Sequence, residues 1–164
     1  MGTDSLQLDE LDMRIISCLL KNSRLPITSL SRLVKAPRTT VINRIERLRG
    51  VGVIEKYTVK LNYRLLGYNF LAFVLIKAKR GSGSSSQVAL ARKIKEDSKR
   101  DPSLPWVQEA HVITGDYDIL LKVRVRRWDE LTNFLIKYLA RLEEVEHSLT
   151  LLTLTTVYEE AEDI

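Results

Sequence analysis

The spacing of apolar residues changes once along this chain, at about Gly67, from helix-like three- and four-residue steps to strict alternation. A chain patterned in this way folds as a small helical unit followed by a unit built on a sheet. Leu8, Leu11, Ile15 and Leu19 predict a first helix over 9–22, with Asp9 as its cap and Asp12 three residues on, as in a capping box. Thr28 is expected to cap a second helix with Leu30, Leu33 and Val34 on its inner face, and Lys35 and Ala36 turn the chain. A third helix opens at Pro37 and buries Val41, Ile45 and Leu48, and Gly50 and Gly52 end it. Three short helices with a tight connection between the last two fit a helix-turn-helix, and residues 53–57 read as the strand of a wing.

Past Gly67, Phe70, Ala72, Val74 and Ile76 share one face of a strand, with Leu71, Phe73 and Leu75 on the other. A flexible Gly/Ser loop at 81–86 leads into a helix over 86–99, with Val88, Ala91 and Ile94 inward, which 101–105 terminate. Strands over 107–114 and 117–126 join at Gly115 and Asp116, a hairpin turn. Leu131, Phe134, Leu135, Tyr138 and Leu142 stripe a last helix, and 148–157 alternate as a last strand. The fold class expected is α+β: an N-terminal winged helix-turn-helix over 1–56, an extended linker strand over 57–66, and a C-terminal ferredoxin-like βαββαβ domain over 67–164. Helices then cover one sheet face, and apolar residues such as Leu75 or Leu154 on the other invite self-association.

Composition narrows the function. The chain of 164 residues is 45% hydrophobic, enough for a core, which excludes disordered and collagen-like classes. A single cysteine, Cys18, closes no intrachain disulfide, and with only His111 and His147 no metal site is expected. No apolar run approaches the roughly 18 residues of a membrane span, and the start is acidic, so a cytoplasmic protein without a membrane partner is expected. The net charge of +5 is unevenly spread: residues 1–66 carry 12 Lys and Arg against 6 Asp and Glu, whereas 67–164 carry 14 against 15. From Arg24 to Arg64 the count is 10 against 2, a density suited to double-stranded DNA, although a solvated helix face would look the same.

The motifs sharpen this reading. Leu8-Asp9-Glu10-Leu11-Asp12 with Ile15-Ile16, Thr39-Thr40-Val41, Arg44-Ile45, Arg47-Leu48, and Gly52-Val53-Ile54-Glu55-Lys56-Tyr57 resemble the DNA-binding half of the Lrp/AsnC, or feast/famine, regulators. Val107-Gln108-Glu109-Ala110-His111-Val112-Ile113-Thr114-Gly115-Asp116-Tyr117-Asp118-Ile119-Leu120-Leu121 is similar to their effector-binding αβ sandwich, so the resemblance covers residues 8–158. Lys35 stands where the family's turn usually has glycine, Pro37 where serine usually caps the recognition helix, and 81–105 is longer than usual.

Arg38, Thr39, Asn43, Arg44 and Arg47 lie on the outer side of the third helix, with Lys35 and Thr40 beside them. Arginine bridges guanine acceptors and asparagine pairs with adenine, so this face has the chemistry of direct readout; Arg47 is equally a phosphate contact or an intraprotein partner. Thr114, Gly115, Asp116, Tyr117 and Asp118 read by themselves as a hairpin turn. The resemblance implies more: amino acids bind at this hairpin between dimers, with a Gly115 amide and the Asp118 carboxylate for the charged ends and Ser148 and Thr150 as hydroxyl partners. No nucleophile, histidine base or metal ligand stands near Asp116 and Asp118, which argues against an enzyme. The reading is a sequence-specific DNA-binding transcription regulator that self-associates and responds to a small amino-acid effector, with no other cofactor. A ligand-independent architectural DNA-binding protein and a small-molecule enzyme or storage protein are the alternatives.

Overall fold

Asp9 and Asp12 start the first helix by exchanging bonds: the Asp12 N–H donates to Asp9 Oδ1 at 2.9 Å and the Asp9 N–H to Asp12 Oδ2 at 3.1 Å. This capping box satisfies two backbone donors that a helix start otherwise leaves open, and α1 runs Glu10–Lys21. The computed structural model describes residues 7–79, 84–157 and 159, and the chain separates into two compact units, the first reaching Lys60 and the second spanning Leu61–Val157.

In the first unit α2 (Ile27–Val34) begins directly after Pro26 with no side-chain cap, so Thr28, expected to cap it, lies within its first turn. Leu30 and Val34 are buried, but Leu33, expected inside, is 60% exposed. α3 (Arg38–Gly50) follows Pro37, whose fixed φ suits a helix entry. Ile15, Leu30, Val34, Val41 and Leu48 form the core, with Leu11, Ile45 and Ile54 packed against it. The wing strand expected over 53–57 does not form. The Ile54 N–H returns to the Leu48 carbonyl at 3.1 Å, and a β-ladder needs a neighbouring strand that the described residues do not supply. Nor do residues 57–66 make a strand: the chain turns instead at 63–67, with Gly67 at φ +84°.

The second unit follows the expected order. β1 (Phe70–Ala78), α4 (Ser84–Arg100), β2 (Trp106–Val112), β3 (Ile119–Val125), α5 (Trp128–Asn133) and β4 (Val145–Leu152) give an antiparallel sheet of order β2-β3-β1-β4. Ile76 stands opposite both Ile119 and Ser148, and Val74 opposite both Leu121 and Thr150, so these side chains share a face. The buried cluster joins that face to Leu90, Ala91 and Ile94 of α4 and to Leu131 and Phe134.

Three expectations need correction. α4 begins at Ser84, two residues before the expected start, and Val88 is 45% exposed while Leu90 joins Ala91 and Ile94 on the buried side. Residues 84–86, expected in the Gly/Ser loop, belong to α4, and residues 80–83 lie outside the described ones. The last helix is composite: α5 passes into a π-helical turn over Phe134–Tyr138 and a tighter one over Leu139–Arg141, which together bury Leu131, Phe134 and Leu139. β4 starts at Val145 and stops at Leu152, leaving Leu154 beyond the sheet. On the sheet face away from the helices, Phe73 and Leu75 are half-buried, and Leu149 and Leu151 opposite them are exposed.

Candidate functional site

The connection between α2 and α3 is closed by Lys35 in the left-handed region, at φ +53° and ψ +45°. Its N–H bonds the Arg32 carbonyl, the Ala36 N–H donates to the Ser31 carbonyl at 3.1 Å, and Ser31 Oγ donates to the Ala36 carbonyl at 2.7 Å. A non-glycine residue there carries a steric cost of about 1–2 kcal/mol. The turn projects the Lys35 side chain into solvent beside the start of α3. Arg38, Thr39 and Asn43 are exposed on the first turns of α3, and Thr40 is half-buried.

Arg44 does not join that surface. Its Nη1 donates to Asp9 Oδ2 at 2.5 Å and to Asp12 Oδ1 at 3.2 Å, and Arg47 Nη2 binds Asp12 Oδ2. Asp12 is fully buried, and a buried carboxylate persists only when paired and hydrogen-bonded; two guanidiniums and the Asp9 backbone supply both. The Asp12 backbone N–H, then the Arg44 guanidinium, hold the Asp9 carboxyl below its ordinary range, and the Asp9 carboxylate raises Arg44. The expectation that Arg44 points outward to bases is thus corrected, and Arg47 takes the intraprotein alternative. Asp12 was read from the sequence only as a helix cap; its second duty left no local signal, because its partners lie more than thirty positions away.

In the second unit the hairpin between β2 and β3 is pinned at its base. The Ile113 N–H donates to the Asp118 carbonyl and the Asp118 N–H to the Ile76 carbonyl, each at 2.9 Å. Thr114, Gly115 and Asp116 are exposed at the tip, with Gly115 at φ +114° and no atom within 4 Å of where a Cβ would stand. Asp118 is turned inward: Oδ2 accepts from the Ala78 N–H at 2.8 Å and lies 3.4 Å from Lys77 Nζ, while Oδ1 accepts from Gln87 Nε2 at 3.1 Å. Contrary to expectation, its carboxylate ties β1, β3 and α4 together, and Asp116 is the exposed acid of the turn. The Tyr117 ring meets His147 edge-on at 5.6 Å. The hairpin and Ser148 therefore occupy the same end of the sheet, Ser148 being exposed two strands from Ile119, or about 10 Å. Thr150 is half-buried two positions further in.

Residues 8–49 match the AsnC-type helix-turn-helix domain, and residues 71–163 match the Lrp/AsnC ligand binding domain. The chain belongs to the Lrp/AsnC family. An HTH-type transcriptional regulator of Pyrococcus furiosus is 37% identical over 153 residues, covering 93% of this chain and 97% of its own. The HTH-type transcriptional regulator FL11 of the same organism is 37% identical over 147 residues, 90% of this chain and 89% of its own. Among solved structures, Escherichia coli AsnC superposes with a TM-score of 0.81 at 26% identity, over 96% of this chain and 99% of that one. A Neisseria meningitidis transcriptional regulator, solved as a complex with L-Met, shares the fold at a TM-score of 0.80 and 19% identity, over 94% of each chain.

This Lrp/AsnC protein is accordingly a DNA-binding transcription regulator with a ligand-binding domain, and not an enzyme. Lys35, at the turn where the resemblance implies glycine, adopts the left-handed conformation that glycine serves. Among the described residues no helix is long and apolar enough to cross a membrane, and no three His, Cys, Asp or Glu residues gather as a metal site.

Proposed function

We propose that this Lrp/AsnC regulator reads double-stranded DNA sequence-specifically in the cytoplasm, as an assembly of dimers whose association is set by a bound amino acid. The observation that carries the first part is the exposed set Arg38, Thr39 and Asn43 on the first turns of α3, with Lys35 on the preceding turn. Early turns of a recognition helix face base edges, and a lysine at the turn meets phosphate. Arg44 and Arg47 hold the helix to α1 through Asp12 and so orient that set.

The amino-acid part rests on the ligand-binding family model, the L-Met complex of a regulator with the same fold, and the open hairpin tip. Gly115 admits a ligand carboxylate close to backbone N–H groups. Asp116, exposed, is the acid for the ammonium, since the Asp118 oxygens are already engaged. Thr114, Tyr117, Ser148 and Thr150 supply neutral contacts from the same end of the sheet.

Selection of a preferred site from random DNA, followed by competition against unrelated DNA, tests the reading. The expected result is a preference that Asn43→Ala reduces by about 1–3 kcal/mol. Equal affinity for all sequences would leave an architectural DNA coat instead. A thermal-shift screen of the common amino acids tests the ligand, because a molecule that binds only the folded state raises its melting temperature. If none does so, the amino-acid part falls.

A further inference from the structure

At the end of the sheet away from the hairpin, five side chains of the second unit form a continuous cation and ring stack. The Arg124 guanidinium lies 3.8 Å over the Tyr63 ring, Tyr63 meets Trp106 at 5.7 Å, Trp106 meets Tyr68 at 5.3 Å, and Arg126 lies 4.6 Å over Tyr68. Arg124 Nε also donates to Gln108 Oε1 at 2.8 Å, and Arg126 Nη2 to the Tyr68 hydroxyl at 3.1 Å. Beside this stack opens a cleft of about 430 Å³, within the range of small-molecule sites. Trp106, Leu104 and Pro102 give it an apolar wall, and Lys99 and Arg126 give it two cations.

The polar groups divide into spent and open ones. Ser98 Oγ donates to the Pro105 carbonyl at 2.7 Å and accepts from the Val107 N–H at 2.9 Å, so it is only wall. Glu130 Oε2 accepts from the Arg126 backbone N–H at 2.9 Å. The Lys99 side chain, by contrast, has no ion-pair or hydrogen-bond partner among the described residues. Two cations against one acid, beside an aromatic wall, select an anionic head on an apolar body.

We propose that this cleft binds a small organic carboxylate with an apolar or aromatic body. Its carboxylate lies between Lys99 and Arg126, and its body lies against Trp106 and Leu104. The site is separate from the hairpin by the length of β3, about 20 Å. Tyr63 and Tyr68 lie near the start of the second unit, so a ligand ordering this stack orders the first residues of that unit.

The chain has two tryptophans, so Trp128→Phe leaves Trp106 as its one indole reporter while keeping a ring against Phe70. Emission of this variant is titrated with 3-phenylpropionate, L-phenylalanine and phenethylamine. Both carboxylates are expected to change it saturably and the amine is not. Tighter binding of phenylalanine assigns its ammonium to the open oxygen of Glu130, and equal binding assigns recognition to carboxylate and ring alone; either supports the site. Arg126→Gln and Lys99→Gln should each weaken binding by about tenfold. No saturable change with either carboxylate, or binding untouched by both substitutions, overturns the proposal. A response abolished by Gly115→Val but not by Arg126→Gln also overturns it, by locating the ligand at the hairpin, and leaves the proposed function standing.

Discussion

Arg38 and Arg44 lie on the same helix, yet one faces solvent and the other is bound to two carboxylates. The difference sets what each substitution does. Arg44→Ala leaves the buried Asp12 with a single guanidinium, so it should destabilise the first unit by about 1–3 kcal/mol and weaken DNA binding through loss of helix orientation. Arg38→Ala should leave stability within about 0.5 kcal/mol and weaken DNA binding directly. Urea unfolding beside DNA titration separates them; an Arg44 variant of parental stability would remove the proposed positioning role. The Asp9 carboxyl is held below its ordinary range by the Asp12 N–H and Arg44, so the sign with pH is set. Its contribution is present above the unfolded carboxylate range, about pH 4, and is lost as pH falls through the lower folded value. Asp9→Asn should flatten that part of the acid unfolding curve, and an unchanged curve would show that other carboxylates dominate it.

At the scale of elements, the turn before α3 and the base of the β2–β3 hairpin are the two places where a single residue joins several segments. Lys35→Gly relieves the left-handed strain but adds freedom to the unfolded chain, so stability should change by no more than about 1 kcal/mol. If Lys35 meets phosphate, the same substitution lowers the slope of log affinity against log salt by about 1. An unchanged slope would take Lys35 out of the interface. Asp118→Ala strips the acceptor from the Ala78 N–H, from Gln87 and from Lys77 together, and should destabilise the second unit by about 1–3 kcal/mol. Chemical denaturation checks this. A variant as stable as the parent but deaf to amino acids would restore Asp118 as a ligand contact.

For the whole molecule, a fragment beginning at Leu61 keeps Tyr63 against Trp106 and Arg124, whereas one beginning at Gly67 discards that packing. The longer fragment should self-associate, because Leu149 and Leu151 stand exposed opposite Leu75 and Phe73. It should not bind DNA, since residues 61–164 carry 15 basic against 15 acidic side chains and so no net positive charge. Sedimentation showing a monomer would refute the first expectation, and a DNA shift the second.

What the sequence determined by itself was the order of the helices and of the four sheet strands, and the concentration of basic residues in the first 66 positions. Leu8 to Leu48 repeat at helix spacing and Phe70 to Ile76 alternate, and both periods follow from backbone geometry within a few residues. The hairpin at Gly115 was legible for the same reason. Tertiary structure alone decided which charges are free. Arg44 reaches carboxylates 35 and 32 positions away, and Asp118 reaches a backbone N–H 40 positions away. It also decided that 53–57 make no strand, since a strand exists only where another pairs with it. Periodicity records which face of an element is apolar; ion pairs and ladders depend on what the fold brings opposite that element, and no local pattern carries that information.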